Sequence, residues 1–311
     1  MHLLAIEIGG SKLQIFAGDD SGRILERRRF VVDHTAGGEG IRRQIAAAFP
    51  ELIAAWSPLA IGVGFGGPVR WRSGEIAKSH HVSGWSDFPM ASWVRDQTEL
   101  PVAIDNDANV AALGEALHGA GRGQRAVFYL TLGSGVGGGL VVDGKIYHGA
   151  APGEVEIGHV RLDASGTIVE ERCSGWAVDR RIREVVTAEP DSMLAKLVRE
   201  ATPGCEARHL PGALAAQDPF AESILDAHAD TLAFALSHVV HLLHPDVIVI
   251  GGGLTLLGEA VRARLATVLP KHLMSAFQPG PAVVLAALGE DAVPVGALSL
   301  AARALSSAHR G

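Results

Sequence analysis

Short apolar runs alternate along the chain with glycine-containing turns and with segments of helical spacing. Leu3–Ile8, Leu13–Ala17 and Arg23–Val32 predict the strands of a β-meander, and Gly38–Trp56 predicts an amphipathic helix. Further strands are predicted at Leu59–Phe65, Val102–Ile104, Ala126–Leu132, Leu140–Val142, Val160–Leu162, Asp246–Ile250 and Pro281–Leu285. Further helices are predicted at Ser92–Thr98, from Asn109, from Ser174, and at Ala221–His244, Leu256–Leu269 and Gly296–Leu305. This mixture predicts an α/β protein.

The stretch Val102–Glu115 places a cluster of polar groups at the end of a predicted strand. Asp105, Asn106 and Asp107 follow the apolar strand directly, and helix-forming residues begin at Ala108. Asp107 or Asn106 can cap that helix, because both side chains accept hydrogen bonds from the N–H groups of a first turn. Alternatively, the strand end presents a carboxylate to a cleft, since open α/β sheets bind ligands at the carboxyl ends of their strands. The pattern alone leaves both interpretations open.

Two glycine-rich turns connect predicted strands, at Gly9–Lys12 and at Gly133–Gly139. The first combines glycine, a hydroxyl and a cation, the groups that a phosphate-binding loop needs, although a plain hairpin is the alternative. In both places a strand, an Asp/Gly turn and a basic residue follow, and this weak repeat indicates a duplicated fold. Gly62–Gly67 and Gly133–Gly138 also match G-x-G-x-x-G, but no helix follows either one, which argues against a dinucleotide fingerprint.

Two further segments are candidates for ligand binding. At Gly251–Gly253 a strand, a glycine turn and a predicted helix follow one another, a context typical of nucleotide binding and also of an ordinary βα turn. Glu156 and His159 are close in sequence, with Glu170 nearby, and these side chains can form a polar pocket. A hydrogen-bonded structural histidine is the alternative for His159.

Length, composition and charge narrow the function classes. The chain has 311 residues, of which 48% are hydrophobic and 20% charged, and this predicts a globular protein of two lobes. Its net charge of -7 and the lack of a long basic block argue against nucleic-acid binding as the main activity. Cys173 and Cys205 are the only cysteines, which suits a reducing cytosol. No apolar run is long enough for a membrane span or a signal peptide, so we expect a cytoplasmic protein.

Five motifs together resemble those of the ROK-family sugar kinases, which share the actin-like ATPase (ribonuclease H-like) fold with hexokinases. The motifs occur in the family's order and cover nearly the whole chain, which makes the resemblance specific. They are Glu7–Lys12 for D-x-G-G-T-K, Asn106–Asn109 for N-D-A-N, Leu132–Gly139 for L-G-T-G-x-G-G-G, Glu156–His159 for E-x-G-H, and Gly251–Gly253 for the adenosine motif. The resemblance implies a duplicated α/β fold of two lobes with a central cleft. The smaller lobe would comprise residues 1–108 and the C-terminal helix at about 293–311, and the larger lobe residues 109–292.

The resemblance also implies a role for each matched residue. Asp107 would be the general base that takes the proton from a sugar hydroxyl as it attacks the γ-phosphate of ATP. Glu7 would hold Mg²⁺ through water. Sugar hydroxyls would be held by Asn106, Glu156, His159 and Glu170, and the sugar loop would be lined by Gly66 and Gly67. The nucleotide would be held by Gly9, Gly10, Ser11, Lys12, Gly133, Ser134, Gly135, Gly251, Gly252 and Gly253.

The chain departs from the family pattern in two places. The family's zinc loop, C-x-C-G-x-x-G-C, is missing, because the segment from Asp163 to Glu170 is short and Cys173 falls at the family's Ala before Ser-Gly. We therefore expect no structural zinc, since a tetrahedral site needs more ligands than remain. Glu7 replaces the usual Asp, and a misplacement of about 1 Å can cost about 10²-fold in rate. Ser11 and Ser134 replace Thr and keep the hydroxyl.

The leading interpretation is an ATP- and Mg²⁺-dependent hexose kinase that phosphorylates the 6-hydroxyl of glucose. N-acetylmannosamine, N-acetylglucosamine and fructose are the alternative acceptors. A sugar- or nucleotide-binding sensor that has lost catalysis is the alternative of another class, suggested by Glu7 and the missing zinc loop. The family's transcriptional repressors carry an N-terminal winged-helix segment, whereas this sequence opens on the phosphate loop, so we expect a kinase. The resemblance further implies a homodimer whose ligands are a hexose and ATP, with neither nucleic acid nor membrane as a partner.

Overall fold

The structure, a computed structural model, describes residues 1–10, 12–79, 82–151, 155–199 and 201–308. The strands are β1 (His2–Ile8), β2 (Lys12–Asp19), β3 (Ile24–Val31), β4 (Ile61–Phe65), β5 (Val69–Arg70), β6 (Glu75–Ile76), β7 (Val102–Asn106), β8 (Ala126–Leu132), β9 (Val136–Val142), β10 (Lys145–Ile146), β11 (Val247–Gly251) and β12 (Ala282–Leu285). The α-helices are α1 (Gly37–Trp56), α2 (Met90–Thr98), α3 (Asp107–His118), α4 (Val169–Cys173), α5 (Gly175–Ala188), α6 (Met193–Val198), α7 (Leu210–Ala215), α8 (Pro219–Leu243), α9 (Glu259–Val268) and α10 (Ala292–Ala308). Within these described ranges, none of the helices has the length and apolar character needed to cross a bilayer.

The strands form two five-stranded sheets that have the same order. The first sheet runs β3-β2-β1-β4-β7, and the second runs β10-β9-β8-β11-β12. In the first sheet β1, β4 and β7 are parallel neighbours, and in the second β8, β11 and β12 are parallel neighbours. A meander thus leads into parallel strands twice, which confirms the duplication that the weak sequence repeat predicts. The short strands β5 and β6 form a separate antiparallel pair.

Both faces of the first sheet are covered, and this explains why β1 is apolar throughout. Leu4 and Ile6 belong to a core cluster that includes residues of α1 and α2. Leu3 and Ala5 belong to a second cluster that includes Leu298 of α10. Because successive side chains of a strand point to opposite faces, a strand buried on both faces has a continuous apolar run instead of an alternating pattern.

Strand β9 begins at Val136, so the predicted start at Leu140 was wrong. Glycine is a poor strand former, and the sequence pattern therefore predicts a turn for the whole glycine run. Close packing on α3 explains why glycine occupies one of these strand positions: a Cβ on Gly139 would lie 2.7 Å from the Cβ of Ala112 and 2.8 Å from the carbonyl oxygen of Ala108.

Two other segments differ from the sequence-based prediction. Residues Gly253–Leu257 form a 3-10 turn, so the helix predicted from Leu256 begins only at α9. Val160–Leu162, although within the described residues, is not part of a strand, and an isolated bridge joins Arg161 to Ile168. A three-residue alternation is too short to specify a strand without a neighbouring strand to pair with.

The chain forms two compact units. The first comprises Met1–Arg125, Gly139–Val155 and Ala287–Gly311, and the second comprises Ala126–Gly138 and Glu156–Ala286. Helix α3 therefore belongs to the first unit, whereas the boundary predicted at residue 108 assigns it to the larger lobe.

Helix α3 is joined to the C-terminal segment by a buried carboxylate and by close backbone packing. Glu115 is fully buried, and its Oε2 accepts the N–H groups of Ala120 at 2.8 Å and Ala287 at 3.1 Å. Its Oε1 accepts the N–H of Leu288 at 2.8 Å. A Cβ on Gly114 would lie 2.4 Å from the carbonyl oxygen of Ala292 in α10. These contacts explain why α3 belongs to the same unit as α10.

Candidate active site

On either side of the turn between β1 and β2, an acidic and a basic side chain lie next to each other. The N–H of Gly9 donates to the carbonyl of Lys12 at 2.7 Å, and Gly10 lies within this turn. Ser11 lies outside the described residues. Only 11% of the Glu7 side chain is exposed, and its Oε1 lies 3.2 Å from Lys12 Nζ. Burial raises the pKa of Glu7, while the Lys12 ammonium acts in the opposite direction.

Asn106 and Asp107, the two capping candidates, have different positions at the start of α3. Asn106 is the N-cap: its Oδ1 accepts the N–H of Ala108 at 2.9 Å and the N–H of Asn109 at 3.3 Å. Asp107 is the first residue of the helix, and its Oδ1 also lies 2.8 Å from the N–H of Ala108. Because Asn106 provides the cap, the helix does not depend on Asp107 for it.

The glycine pair after β4 lies next to Asp107. A Cβ on Gly66 would lie 3.3 Å from Asp107 Oδ2 and 3.4 Å from the Cα of Gly9. Asn106 Nδ2 donates to the carbonyl of Gly67 at 3.2 Å. The carboxyl ends of the parallel strands β1, β4 and β7 therefore bring these predicted site residues together, at the edge where α/β sheets bind ligands. The lack of a side chain at Gly66 leaves space over the Asp107 carboxylate.

In the second unit, the turn after β8 is held by hydrogen bonds from two other segments. The N–H of Gly133 donates to the carbonyl of Gly135 at 3.0 Å, and the N–H of Gly175 donates to the carbonyl of Gly133 at 2.7 Å. Glu170 Oε2 accepts the N–H of Val136 at 2.9 Å. Glu170, predicted to hold a sugar hydroxyl, thus fixes the backbone of this turn, and its role toward a sugar stays a prediction.

The E-x-G-H segment packs against the same turn. A Cβ on Gly158 would lie 2.2 Å from the carbonyl oxygen of Val136, so only glycine allows this approach. His159 Nδ1 lies 3.2 Å from Glu156 Oε2, and the two side chains are 67% and 52% exposed. A solvent-borne ligand can therefore reach both side chains.

A cavity of about 300 Å³ lies in the second unit next to this glycine turn. Its lining includes Gly133, Ser134 and Gly253 from the predicted nucleotide-binding set, together with apolar atoms of Leu254 and Leu257. The glycine that directly follows β11 is needed for its backbone conformation. Gly252 has a φ of +87°, and a Cβ there would lie 2.6 Å from the backbone of Leu132.

One wall of this cavity was not found from the sequence. It includes Trp176, Asp179, Cys205 and Arg208. Asp179 is buried and accepts the N–H of Ala207 at 2.7 Å, which joins α5 to the 3-10 turn that follows α6. Burial raises the pKa of Asp179. The helix start predicted at Ser174 was the only sequence signal near this wall, since no motif marks the segment that contains Cys205 and Arg208.

Neither cysteine belongs to a metal cluster within the described residues. In the ranges described, no three His, Cys, Asp or Glu side chains are grouped closely enough to hold a metal ion. Cys173 is buried, and burial raises the pKa of its thiol to about 12, which keeps the thiol protonated. Metal binding requires the thiolate, so Cys173 is a poor ligand.

The model of the ROK family matches residues 3–304. The chain belongs to the ROK family. This ROK-family chain is similar to a glucokinase of Halalkalibacterium halodurans, with 31% identity over 99% of this chain and 97% of the relative. It is also similar to a glucokinase of Thermotoga maritima, with 30% identity over 96% of this chain and 97% of the relative.

A solved structure also resembles the ROK-family chain over nearly its whole length. It is a ROK family glucokinase from Streptomyces griseus in complex with glucose and AMPPNP, with a TM-score of 0.82 and 28% identity. The match covers 97% of this chain and 100% of that chain. The similarity, together with the two sheets of equal order, confirms the predicted actin-like ATPase fold.

Proposed function

We propose that this ROK-family chain is an ATP-dependent hexose kinase that phosphorylates the 6-hydroxyl of glucose. Sugar phosphorylation is the activity class that the relatives named as glucokinases support. The observation that carries the proposal is the position of Asp107. Its carboxylate lies at the carboxyl ends of the three parallel strands β1, β4 and β7, next to Gly66 and close to the turn that contains Gly9.

Asp107 would act as the general base. Its carboxylate takes the proton of the sugar hydroxyl as that oxygen attacks the γ-phosphate, and it must lie within about 3 Å of the hydroxyl. The sugar would bind next to Gly66, which has no side chain to cover Asp107, while Asn106 is fixed by its cap and by the carbonyl of Gly67. Glu156 and His159, both exposed, would hold further hydroxyls. Positioning of this kind supplies most of the rate enhancement in phosphoryl transfer.

ATP would bind at the glycine turns and in the cavity of the second unit. The cavity of about 300 Å³ combines glycine backbone with apolar side chains, which suits a planar base and its ribose. Trp176, 61% exposed at the rim, offers an aromatic face. Gly9, Gly10 and Lys12 on one turn, and Gly133, Ser134 and Gly135 on the other, would contact the phosphates.

The residues present fit a magnesium ion held mainly by phosphate. Mg²⁺ commonly keeps several waters and takes only one or two carboxylates from the protein. Glu7 is the carboxylate of β1 next to the first glycine turn, and its ion pair with Lys12 fixes its orientation. When bound, the ion neutralises charge that develops on the phosphates. Glu7 would hold it through water.

A sugar panel tests the proposal. The protein with ATP and Mg²⁺ should form ADP with glucose, more slowly or not at all with fructose, N-acetylglucosamine and N-acetylmannosamine. Asp107→Asn should lower kcat by about 10²–10⁴-fold because the general base is lost. Glucose binding, measured by calorimetry, should change little. Asp96→Asn on the exposed face of α2 is the matched control and should retain full activity. No turnover of any sugar by folded protein would contradict the proposal.

The second candidate is a sugar-binding sensor without catalysis. It is favoured by Glu7, whose added methylene and ion pair with Lys12 alter the group that would serve Mg²⁺. Tight sugar binding without ADP formation would support the sensor, and measurable phosphorylation would exclude it. Two further predictions remain for this protein. It should form a homodimer, which light scattering tests, and it should be located in the cytoplasm, which cell fractionation tests.

A further inference from the structure

A buried carboxylate lies two residues before Asp107, and the proposed reaction leaves it without a role. Asp105, at the end of β7, is 2% exposed. Its Oδ1 accepts the N–H of Asn106 at 2.8 Å and the Nδ2 of Asn109 at 3.0 Å. Its Oδ2 lies 2.6 Å from Nε2 of His148. Both oxygens are therefore engaged: one partner is the next residue along β7, one lies on α3, and His148 lies in a separate part of the chain.

His148 connects this carboxylate to a third segment. It follows β10, and 14% of its side chain is exposed. Its ring stacks on Trp71, which follows β5, with centroids 4.0 Å apart and planes 13° apart. The Nε2–Oδ2 distance is that of a short hydrogen bond, in which an N–H on Nε2 donates to the Asp105 carboxylate. The stacking on Trp71 fixes the plane of the ring, and this plane directs the N–H to Asp105.

We propose that His148 is a positioning residue for Asp107, and this inference rests on the proposed kinase function. His148 fixes Asp105, and Asp105 fixes Asn109 and the N–H of Asn106, the residues on either side of Asp107 in the first turn of α3. Without the donor, Asp105 is a buried carboxylate that lacks a partner for one oxygen, which favours its rotation or the entry of water. Either change shifts the turn that carries Asp107.

The expected effect is on turnover and not on nucleotide binding. A misplacement of about 1 Å at a reacting group can reduce the rate by about 10²-fold. His148 belongs to the first unit, whereas the proposed nucleotide cavity is lined by residues of the second unit. A His148 variant should therefore change kcat and leave the KM for ATP within about twofold.

Two variants of matched size separate the hydrogen bond from the ring stacking. His148→Phe keeps an aromatic ring on Trp71 and removes the donor, so kcat should fall about tenfold to a hundredfold. His148→Gln loses the ring and keeps an N–H donor, so kcat should stay within about threefold of the unmodified protein. The reverse ranking, or equal activity in both variants, would overturn the proposal.

A third variant covers the case in which His148→Phe does not fold. Trp71, Asp105 and His148 all line a cavity of about 1360 Å³ in the first unit. In His148→Ala, free imidazole can enter from that cavity and donate to Asp105. Added imidazole should raise kcat of His148→Ala at least fivefold and leave the unmodified protein unchanged. Failure of rescue in folded His148→Ala would contradict a role for the donor.

Hydrogen–deuterium exchange tests the positioning role of His148 without a measurement of kinase activity. The peptide that contains Asn106–Asn109 should exchange faster in His148→Phe than in His148→Gln, because its hydrogen bonds depend on Asp105. Equal exchange in both variants would overturn the positioning role. If the unmodified protein phosphorylates no sugar, the proposed function fails, while the exchange result still decides whether His148 positions this turn.

Discussion

His228 lies on the buried side of α8, and within the described residues neither of its ring nitrogens has a hydrogen-bond partner. Burial lowers its pKa from the usual 6.5 to about 4. Above pH 6.5 the ring is neutral in the folded and unfolded states, and pH has no effect through this group. Between pH 6.5 and about 4 the unfolded chain binds a proton that the folded protein does not bind. The folded state therefore loses stability as the pH falls through this window.

His228→Leu should remove that dependence. Between pH 7.5 and pH 5, the free energy of unfolding should fall by about 2 kcal/mol less in the variant than in the unmodified protein. At pH 7.5 the variant should be equally or more stable, because two unpaired buried nitrogens are lost. Urea unfolding at both pH values measures this. His238→Leu, on the same helix but half-buried, is the control. An unchanged pH dependence in His228→Leu would argue against a buried neutral ring.

The polar triplet after β7 shows what residue-level sequence reasoning could and could not decide. Its position at a strand end was predicted from the apolar run before it. The local pattern left open whether Asn106 or Asp107 caps the helix, and no role was predicted for Asp105, because carboxylate and amide side chains at a strand end have similar local signals. The structure separates them: Asp105 is buried against His148, Asn106 caps α3, and Asp107 lies under Gly66. These three positions differ in their contacts with residues distant in sequence, and a local pattern does not contain those contacts.

At the scale of elements, glycine at the contact between α3 and α10 allows the two helix backbones to lie close together. A Cβ on Gly296 would lie 1.8 Å from the carbonyl oxygen of Val110 and 3.0 Å from the N of Gly114. The obstacle is backbone, which cannot rotate away as a side chain can. Since α3 begins with Asn106 and Asp107, the packing of this helix pair also affects the candidate active site.

Gly296→Ala should destabilise the protein, although alanine is normally the better helix former by about 1 kcal/mol. Overpacking against backbone typically costs about 1–3 kcal/mol, and here that cost exceeds the gain in helix propensity. Gly212→Ala in α7 is the control, because its nearest neighbour is the side-chain tip of Leu197 at 3.3 Å. Urea unfolding measures both. Equal stability of the two variants would mean that α3 and α10 are not packed this closely.

At the scale of the whole molecule, sugar and nucleotide should each stabilise the folded protein. Glucose or a non-hydrolysable ATP analogue at about 100 times its Kd should add about 2.7 kcal/mol to the free energy of unfolding. Trp176→Ala should reduce the stabilisation by the nucleotide and keep that by glucose, because Trp176 lines the proposed nucleotide cavity. Differential scanning calorimetry measures these shifts in Tm, with L-glucose as the control sugar. A shift with L-glucose equal to that with D-glucose would contradict a specific sugar site.

The sequence by itself determined the α/β class, the order of most strands and helices, the duplication and the ROK motifs, because each depends on local periodicity or on short spacings. Tertiary structure alone decided which residues meet. It placed α3 with α10, directed Glu170 to the backbone of the second glycine turn, and brought Trp71, Asp105 and His148 together. These outcomes depend on contacts between segments far apart in the chain, which no local pattern encodes. The physical reason is that packing of whole elements, and not the propensity of single residues, fixes such contacts.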